Sequence, residues 1–449
     1  MPEIMYTSTN LNSEPATFKQ AILRGQAPDK GLYIPDKISV LSKDEIFSMK
    51  GMKYSEIAFL VAKKFLKDEL PEKELRRIVE ESYNFDVPLE HVFGNNYVMR
   101  LDHGPTASFK DFAARMMARI MSYFTKEENK ELLILTATSG DTGSAVANAF
   151  YGLENIKVVV LFPRDEVTDR QRRQMTTLGK NITTIAVDGK FDDCQAMVKQ
   201  AFADPDLESL NLSSANSINF GRLLPQSVYY FYAYSRLVDK QNIIFSVPCG
   251  NFGDLTGGLI AKRMGLPVEK FIAAVNENDE FPVFLDTGKY KPIKPSKACI
   301  SNAMNVGHPS NLARIVAFYG GRMDEKGIVH KMPDMEALRK DIFSVSITDV
   351  KTRETIKSAY EKYRVILEPH GAVAWAGLEY YLSKKDTDLV CVSFETADPA
   401  KFPEEIERNI GLKPEIPNSL KSLEEKKENY SELGSEYGKF KRFLTENFK

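Results

Sequence analysis

The sequence predicts an α/β protein whose open parallel sheets are covered by helices. Three short apolar runs, at residues 132–135, 157–161 and 182–187, alternate with helical segments, and turn residues separate them. Uninterrupted apolar runs of this length are typical of parallel strands buried on both faces, and strand–helix alternation supplies the crossover connections between them. A chain of 449 residues is long enough for two or three domains.

The periodic pattern divides the chain into three parts. Residues 1–90 are predicted to be a small helical module with an initial strand, residues 91–215 a smaller α/β domain, and residues 216–449 a larger one. In the smaller domain, helices are predicted at 144–151, 166–178 and 192–202, and Gly152 and Gly179 end the first two.

The larger domain repeats the same alternation. Its predicted helices are 223–237, 255–264, 311–319 and 353–363, its predicted strands are 243–247, 271–275 and 389–394, and its tail at 419–449 is charged and helical in pattern. Gly265 and Pro267 end the second of these helices. Residues 281–309 contain several prolines and little periodicity, which predicts a long ordered loop with a functional role.

Composition excludes several classes of protein. The formal net charge of −2 gives no reason to expect nucleic acid or an anionic membrane as partner. No apolar run approaches the ~18–20 residues of a membrane span, and residues 1–12 lack a signal-peptide pattern. Four cysteines stand singly, without the spacing of a metal site or a disulfide framework (Cys194, Cys249, Cys299 and Cys391). We therefore expect a soluble, cytoplasmic protein without a bound metal.

Lys110 is the first candidate for chemistry. It lies in residues 103–112 (HGPTASFKDF), where Ser108 is predicted to cap a helix with a long apolar stripe. The helix dipole and partial burial would both lower the pKa of a lysine in the first turn and favour the neutral, nucleophilic amine. The alternative is a solvated lysine beside Asp111.

Two loops between a strand and a helix are candidate anion sites. Residues 136–143 (TATSGDTG) offer hydroxyls and free helix N–H groups at the carboxyl end of a strand, where α/β proteins bind ligands. Residues 250–254 (GNFGD) are typical of a loop that holds a phosphate with backbone N–H groups. Their spacing matches neither a Walker loop nor a dinucleotide-binding motif. A capped turn is the alternative for each.

Two further segments complete the set. Arg222 follows residues 214–219 (SANSIN) at the start of a helix, where its guanidinium is placed to bind a phosphate; a surface salt bridge is the alternative. Residues 395–399 (ETADP) follow a predicted strand, and an ordinary turn is the alternative there. Together, a lysine, two anion-binding loops and an arginine are what a cofactor phosphate and an anionic amino acid require.

These motifs resemble the threonine synthase family, in its bacterial and fungal branch. The resemblance rests on residues 103–111, 138–143, 214–219 and 250–254, and it extends from residues 6–10 (YTSTN) and 27–33 (APDKGLY) to the tail. It implies the fold type II architecture of pyridoxal-phosphate enzymes, which is similar to the tryptophan synthase β chain. In that architecture two α/β domains hold the cofactor between them.

The resemblance also implies residue roles. Lys110 would bind the cofactor as a Schiff base and act as the catalytic residue, and Thr396 would hydrogen-bond the pyridine nitrogen. The cofactor phosphate would be held by the glycine loop (Gly250, Asn251, Phe252, Gly253 and Asp254). The candidates for holding substrate carboxylate and phosphate are Thr106, Ser108, Ser139, Thr142, Asn219 and Arg222. Asp141 is expected to make no cofactor contact.

The implied activity is conversion of O-phospho-L-homoserine and water to L-threonine and phosphate, by γ-elimination and β-addition of water. The alternatives are another fold type II lyase or dehydratase, a ligand-binding homologue without catalysis, and a nicotinamide-dependent dehydrogenase. Lys110 argues against the second and the missing dinucleotide motif against the third. Members of the resembled branch are usually monomeric. This sequence departs from the family at Asn305, where an aspartate is expected, and at Cys249, where serine is common.

Overall fold

Two parallel β-sheets and a small N-terminal layer form the framework of the protein, which a computed structural model describes over residues 2–239 and 241–449. The N-terminal layer contains two antiparallel strands and four helices. These are β1 (Tyr6–Ser8), α1 (Phe18–Arg24), β2 (Tyr33–Pro35), α2 (Lys43–Ser48), α3 (Tyr54–Leu66) and α4 (Glu72–Ser82). Within the described residues, no helix is long and apolar enough to cross a membrane.

The central part of the chain alternates strands and helices, as predicted. Its elements are β3 (Leu89–Phe93), β4 (Asn96–Arg100), α5 (Lys110–Glu128), β5 (Leu132–Ala137), α6 (Asp141–Phe150), β6 (Ile156–Pro163), α7 (Asp169–Thr176), β7 (Ile182–Asp188), α8 (Phe191–Ala203) and β8 (Leu212–Ser214). All six side chains of β5 are buried, which explains its uninterrupted apolar sequence.

The last part begins with the buried helix α9. Its elements are α9 (Val228–Leu237), β9 (Ile243–Pro248), α10 (Gly253–Arg263), β10 (Val268–Val275), α11 (Glu280–Thr287), α12 (Leu312–Phe318), β11 (Arg322–Met323), β12 (Val329–Lys331), α13 (Met335–Asp341), β13 (Ile342–Ser346), α14 (Asp349–Tyr363), α15 (Pro369–Leu382), β14 (Val390–Glu395), α16 (Pro403–Ile410), α17 (Asn418–Lys421), β15 (Ser431–Gly434) and α18 (Tyr437–Phe448).

The strands assemble into a five-stranded and a six-stranded sheet. The five-stranded sheet has the order β15-β7-β6-β5-β8 and is parallel throughout. The six-stranded sheet has the order β13-β10-β9-β14-β4-β3, and only the β3–β4 pair is antiparallel. The aromatic residues of α9 cover one face of the larger sheet: the Tyr230 ring lies 4.8 Å from that of Phe245 and 5.1 Å from that of Phe394.

Neither sheet is built from one continuous segment. The hairpin β3–β4 belongs to the six-stranded sheet, although it falls at the start of the predicted smaller domain, and β15 of the tail belongs to the five-stranded sheet. The sheets therefore do not follow the segments 91–215 and 216–449, and the position of the domain boundaries stays a prediction.

Two local predictions are wrong. Residues 281–309 are not a continuous loop, because α11 occupies Glu280–Thr287 and a 3₁₀ turn occupies Asn302–Met304. Pro282 is compatible with α11 because it stands in the first turn, where backbone N–H groups have no partner in the helix. The tail is not uniformly helical, since β15 separates α17 from α18.

Candidate active site

Three loops meet at the carboxyl ends of three neighbouring strands. The glycine loop follows β9, Thr396 follows β14, and the segment that carries Lys110 follows β4; in the sheet β14 lies between β9 and β4. Ligands of open α/β sheets bind at this edge, and the topology thus brings the predicted cofactor residues to one side of one sheet.

Lys110 is the first residue of α5 and is partly buried. Its Nζ lies 4.7 Å from the centre of the Phe109 ring and makes no hydrogen bond or ion pair with a described residue. Burial lowers the pKa of Lys110 to about 8; the charge of Asp141 opposes this shift, while those of Arg222 and Lys401 add to it. A substantial fraction of the amine is therefore neutral near physiological pH.

The segment before Lys110 is held in place by buried hydrogen bonds. The N–H and hydroxyl of Thr106 each donate to Asp111, at 2.8 Å. The Phe109 N–H donates to the carbonyl of Thr396 at 2.9 Å, so the lysine segment is bonded to the residue that follows β14. Gly104 has no room for a side chain, because a Cβ there would lie 2.4 Å from Oδ2 of Asp111.

Ser108 does not cap α5 as predicted, because the residue that precedes the helix is Phe109, which makes no capping bond. The Ser108 hydroxyl is buried and has no hydrogen-bond partner among the described residues. A buried hydroxyl without a partner is uncommon in native structures and is a reason to look for a ligand beside it.

The loop after β5 contains a buried ion pair. Asp141 Oδ1 lies 2.5 Å from Nζ of Lys401, and the Gln171 amide donates to the same oxygen at 2.9 Å. Burial opposes ionisation of Asp141, but the charges of Lys401 and Lys110 outweigh it and hold the pKa of this carboxyl below its usual range. Lys401 also donates to the carbonyl of Thr106 at 3.0 Å, so one ammonium group joins both loops.

The predicted substrate hydroxyls Ser139 and Thr142 belong to the same loop. Both residues are partly exposed, and neither hydroxyl bonds to another described residue. Ser139 lines a cavity of about 300 Å³. The same cavity is lined by Lys297, Asn302 and Asn305, which lie in the segment between α11 and α12. The Ser139 hydroxyl is therefore available to a ligand in this cavity.

The glycine loop after β9 has a backbone suited to an anion. Phe252 has a left-handed conformation with φ 57°, and Gly253 begins α10, so the free N–H groups of a helix N-terminus lie in the loop. A Cβ on Gly250 would lie 2.9 Å from the carbonyl oxygen of Ala303. The amide of Asn311 donates to the Asn251 carbonyl at 3.0 Å and fixes that peptide.

The Asp254 carboxylate at the end of this loop accepts hydrogen bonds from buried tyrosines. Tyr229 and Tyr230 donate to its Oδ1 at 2.6 and 2.7 Å, and Oδ2 is buried without a partner. Burial raises the pKa of Asp254 to about 7, against the effect of the two tyrosine hydrogen bonds and of the Lys110 charge. Asp254 is therefore expected to contribute to an anion site through its backbone N–H group.

Thr396 and its neighbours form a buried polar group at the end of β14. Thr396 is 5% exposed, and its hydroxyl makes no hydrogen bond with a described residue. Glu395 accepts from the Glu368 N–H at 2.7 Å, and burial together with the charge of Glu368 raises the pKa of Glu395 well above its usual range. His370 lies 2.5 Å from Glu368 and accepts from the Ala303 N–H at 3.1 Å.

The remaining two predicted residues differ in what they offer a ligand. Arg222 is buried and makes no ion pair with a described residue: it donates from Nη1 to the Ala215 carbonyl at 2.5 Å, while its Nε has no partner in the part of the chain that the structure describes. The amide of Asn219 is fully used within the protein, because Nδ2 donates to the carbonyls of Ile22 and Ser214 and Oδ1 accepts from the Gly221 N–H. A substrate contact by Asn219 would require one of these bonds to break.

Sequence reasoning missed Lys401 and Arg314. Arg314 is fully buried and donates to Tyr33, Asn311, Ser217 and Ile218, which connects the N-terminal layer with the segment before Arg222. Burial lowers the pKa of Arg314 to about 9. For Arg314 the available signal was a basic residue inside the apolar helix α12, which is rare without a specific partner.

The departures from the family pattern have simple structural consequences. Asn305 accepts from Asn276 Nδ2 at 3.0 Å and from the Cys299 N–H at 3.1 Å, and it donates to the Cys299 carbonyl at 3.3 Å. An aspartate could not make the last of these bonds. Cys249 is buried, and its thiol donates to the Val247 carbonyl at 3.3 Å, so it packs as a small residue.

Family models match this chain along almost its whole length. A model of pyridoxal-phosphate-dependent enzymes matches residues 87–393, a threonine synthase N-terminal model matches residues 5–83, and a threonine synthase C-terminal model matches residues 371–444. With the parallel sheets and the lysine at their carboxyl edge, the match defines a pyridoxal-phosphate-dependent enzyme of fold type II. That family assignment confirms the predicted fold class and cofactor.

Comparison with individual relatives shows to which family of pyridoxal-phosphate-dependent enzymes the chain belongs. The threonine synthase of Escherichia coli is 40% identical over 412 residues, which cover 91% of this chain and 92% of that protein, and the enzyme of Buchnera aphidicola from Schizaphis graminum is 39% identical, covering 98% and 99%. A pyridoxal-phosphate-bound threonine synthase structure from Brucella melitensis superposes with a TM-score of 0.93 at 34% identity and covers all of both chains. This chain belongs to the threonine synthase family.

Proposed function

We propose that the protein converts O-phospho-L-homoserine and water to L-threonine and phosphate, with pyridoxal phosphate as cofactor. The observation that carries this proposal is the position of Lys110: a free amine, with a pKa lowered to about 8, at a sheet edge shared with an anion-binding glycine loop and a free threonine hydroxyl. Arg222 is buried and makes no ion pair with a described acidic residue, so its guanidinium adds a site for a second anionic group.

The residues present fit the cofactor. Gly250 allows close approach of the loop backbone, because even a Cβ would collide with Ala303 there, and the N–H groups from Gly250 to Asp254 would hold the cofactor phosphate at the N-terminus of α10. Thr396 offers its unpaired hydroxyl to the ring nitrogen, and Lys110 is the residue for covalent attachment. When bound, pyridoxal phosphate serves as an electron sink for negative charge on the substrate carbons.

Lys110 is also the group that moves protons. Its Nζ makes no hydrogen bond or ion pair with a described residue, and a pKa of about 8 lets it take up and release a proton near neutral pH. The Asp141–Lys401 ion pair and the Thr106–Asp111 bonds hold the segments on either side of it. We assign these four residues to positioning.

The substrate would be held mainly by groups that lack a protein partner. The hydroxyls of Ser108, Ser139 and Thr142 meet that condition among the described residues. The guanidinium of Arg222 meets it in part, since Nη1 donates to the Ala215 carbonyl while Nε has no partner in the described part of the chain, and a buried guanidinium is suited to a phosphate or carboxylate. Thr106 and Asn219 were predicted in the same role, but their polar groups are already bonded, and we assign them to the framework of the site.

The reaction takes place in the cytoplasm on a monomeric enzyme, in this proposal. All four cysteines are free and buried, which suits a reducing compartment. Light scattering during size-exclusion chromatography should give the mass of one chain, 50.7 kDa; a larger mass would contradict this part.

The deciding experiment is a single-turnover assay of purified holoenzyme with O-phospho-L-homoserine, in which threonine and phosphate are measured together. Equal amounts of both products from the wild type, and neither from Lys110→Ala, would support the proposal. Phosphate without threonine would point to the alternative, a fold type II lyase or dehydratase that releases phosphate without adding water at Cβ.

A further inference from the structure

A second cavity lies between the N-terminal layer and helix α12. It has a volume of about 790 Å³, and its walls come from four places: residues around β1 and β2, the end of α10, the end of α12, and the β11–β12 ribbon. This size falls within the range of small-molecule sites in proteins.

The polar wall of this cavity is strongly basic. It carries Lys37, Arg263, Arg322 and Lys331 but a single acidic side chain, Asp36. Lys37 is paired with Glu3 at 3.0 Å, which reduces its free charge. Arg263 donates to the Phe318 carbonyl and lies with its guanidinium 5.0 Å from the centre of the Phe318 ring, so its charge is held at the cavity wall.

Arg322 and Lys331 form a more unusual arrangement. They are directly paired across the two antiparallel strands β11 and β12, so their side chains leave the ribbon on the same face. Neither makes an ion pair or side-chain hydrogen bond with another described residue. Like charges at directly paired positions destabilise a ribbon, and a bound anion would remove that repulsion.

An apolar wall faces the basic one. Ile34, Pro35 and Ile38 from the N-terminal layer and Ala317 and Phe318 from the end of α12 line the same cavity. A ligand that fits both walls therefore has an anionic head group and an apolar body.

The cavity is separate from the site at Lys110. Helix α10 begins at Gly253 in the glycine loop and ends at Arg263 in the cavity wall. Eleven helical residues span roughly 16 Å, so the two places are at opposite ends of this helix.

We propose that this cavity is a second binding site, for a small molecule that joins a phosphate or carboxylate head group to an apolar body. Arg263, Arg322 and Lys331 bind the head group, and the wall formed by Ile34, Ile38 and Ala317 contacts the body. This inference does not depend on the reaction proposed above, since none of these residues belongs to the site at Lys110.

The test uses 8-anilinonaphthalene-1-sulfonate, a fluorescent probe with an anionic head and an aromatic body, titrated into the wild-type holoenzyme. Saturable binding of one probe per chain is expected. The double variant Arg322→Gln/Lys331→Gln should bind it at least tenfold more weakly, since a charge-assisted hydrogen bond contributes about 1.5–3 kcal/mol and 1.4 kcal/mol is tenfold in affinity. Both side chains are at the surface of the ribbon, so the variant is expected to fold and to form threonine at the wild-type rate.

The matched control is Lys73→Gln/Lys427→Gln, which removes two exposed positive charges elsewhere and should leave probe binding unchanged. N-phenyl-1-naphthylamine, which has the same aromatic body without the sulfonate, should bind much more weakly than the probe. Displacement of the probe by pyrophosphate alone or by citrate alone would assign the head group to phosphate or carboxylate. Equal affinity in wild type and the Arg322/Lys331 variant, or displacement by neither anion, would overturn the proposal.

Discussion

The ammonium of Lys401 lies 2.5 Å from Oδ1 of Asp141, and both side chains are almost completely buried, at 0% and 3% exposed. Lys401 follows β14 of the six-stranded sheet, and Asp141 follows β5 of the five-stranded sheet. One ion pair thus joins the two sheets beside Lys110, at the place where a ligand held between them would lie.

Asp141→Asn should destabilise the protein strongly, because Lys401 would stay buried without its counter-charge. Breaking a buried ion pair in this way destabilises proteins by about 3–5 kcal/mol. Urea denaturation at pH 7 measures the loss. The double variant Asp141→Asn/Lys401→Met should recover a large part of it, and equal stability of the single and double variants would contradict this account.

The loss of stability in Asp141→Asn should depend on pH. The pKa of Asp141 is lowered in the folded state, so its contribution is complete above the unfolded value of about 4 and is lost as the pH falls through the folded pKa. The difference in stability between wild type and Asp141→Asn should therefore be constant from pH 5 to 7 and should shrink below about pH 4.

Lys110→Met should abolish activity and make the apoprotein more stable at neutral pH. The folded pKa of Lys110, about 8, lies below its ordinary value of 10.5, so below pH 8 the wild type must hold a charge that burial disfavours. The gain in stability of the variant should be complete below about pH 8 and vanish above about pH 10.5. Denaturant midpoints of both apoproteins at pH 7 and pH 10.5 test it; a gain that is independent of pH would argue against desolvation as its cause.

Arg222→Gln should weaken binding of the substrate while the cofactor stays bound. Loss of one charged hydrogen-bond donor to an anion corresponds to a rise in KM of roughly 10- to 100-fold. The measurement is KM for O-phospho-L-homoserine, with pyridoxal phosphate absorbance as a check on cofactor loading. The KM of Arg222→Lys should fall between those of the wild type and Arg222→Gln. The KM of an exposed control variant, Arg164→Gln, should match that of the wild type.

Asn311→Ala should raise the dissociation constant for pyridoxal phosphate by roughly tenfold, because its amide fixes the Asn251 carbonyl of the glycine loop. Asn181→Ala is the matched control, since that amide also donates to backbone carbonyls, those of Phe150, Leu153 and Ile156, but lies far from the loop. Both variants should lose stability, and only the first should lose cofactor affinity in a fluorescence titration. Similar affinities in the two variants would contradict the positioning role of Asn311.

The sequence predicted the buried strands because their signal is local. The strands β5, β6, β7, β9 and β14 appear as apolar runs, and the loops after β5, β9 and β14 carry residues of the candidate site. The sequence did not predict the hairpin β3–β4, which precedes the Lys110 segment. The edge strand β13 has one buried residue followed by four partly exposed ones, and the short β15 has no pattern that distinguishes it from a charged helix. Strands of that kind are recognisable only from the neighbour with which they pair.

The candidate site was predictable to the same extent. Lys110, the glycine loop and Thr396 stand in ordered motifs, whereas the partners of Asp141 and Asn311 are distant in sequence: Lys401 lies 260 positions after Asp141. The hydrogen bonds that occupy Thr106 and Asn219 are likewise invisible in a motif. Sequence patterns place side chains at the correct loop, and only the packed structure shows whether their polar groups are free.

The exchange of strands between the two sheets has a consequence for synthesis on the ribosome. The five-stranded sheet needs β15, at residues 431–434, before β7 has its outer neighbour, and the hairpin β3–β4 joins the larger sheet only through β14, at residues 390–395. Each sheet therefore lacks one strand pairing until a segment much later in the chain has been synthesised. The nascent chain carries the exposed edge of β4 until β14 emerges and that of β7 until β15 emerges, and during this time the unpaired edges are open to misassembly and to capture by chaperones.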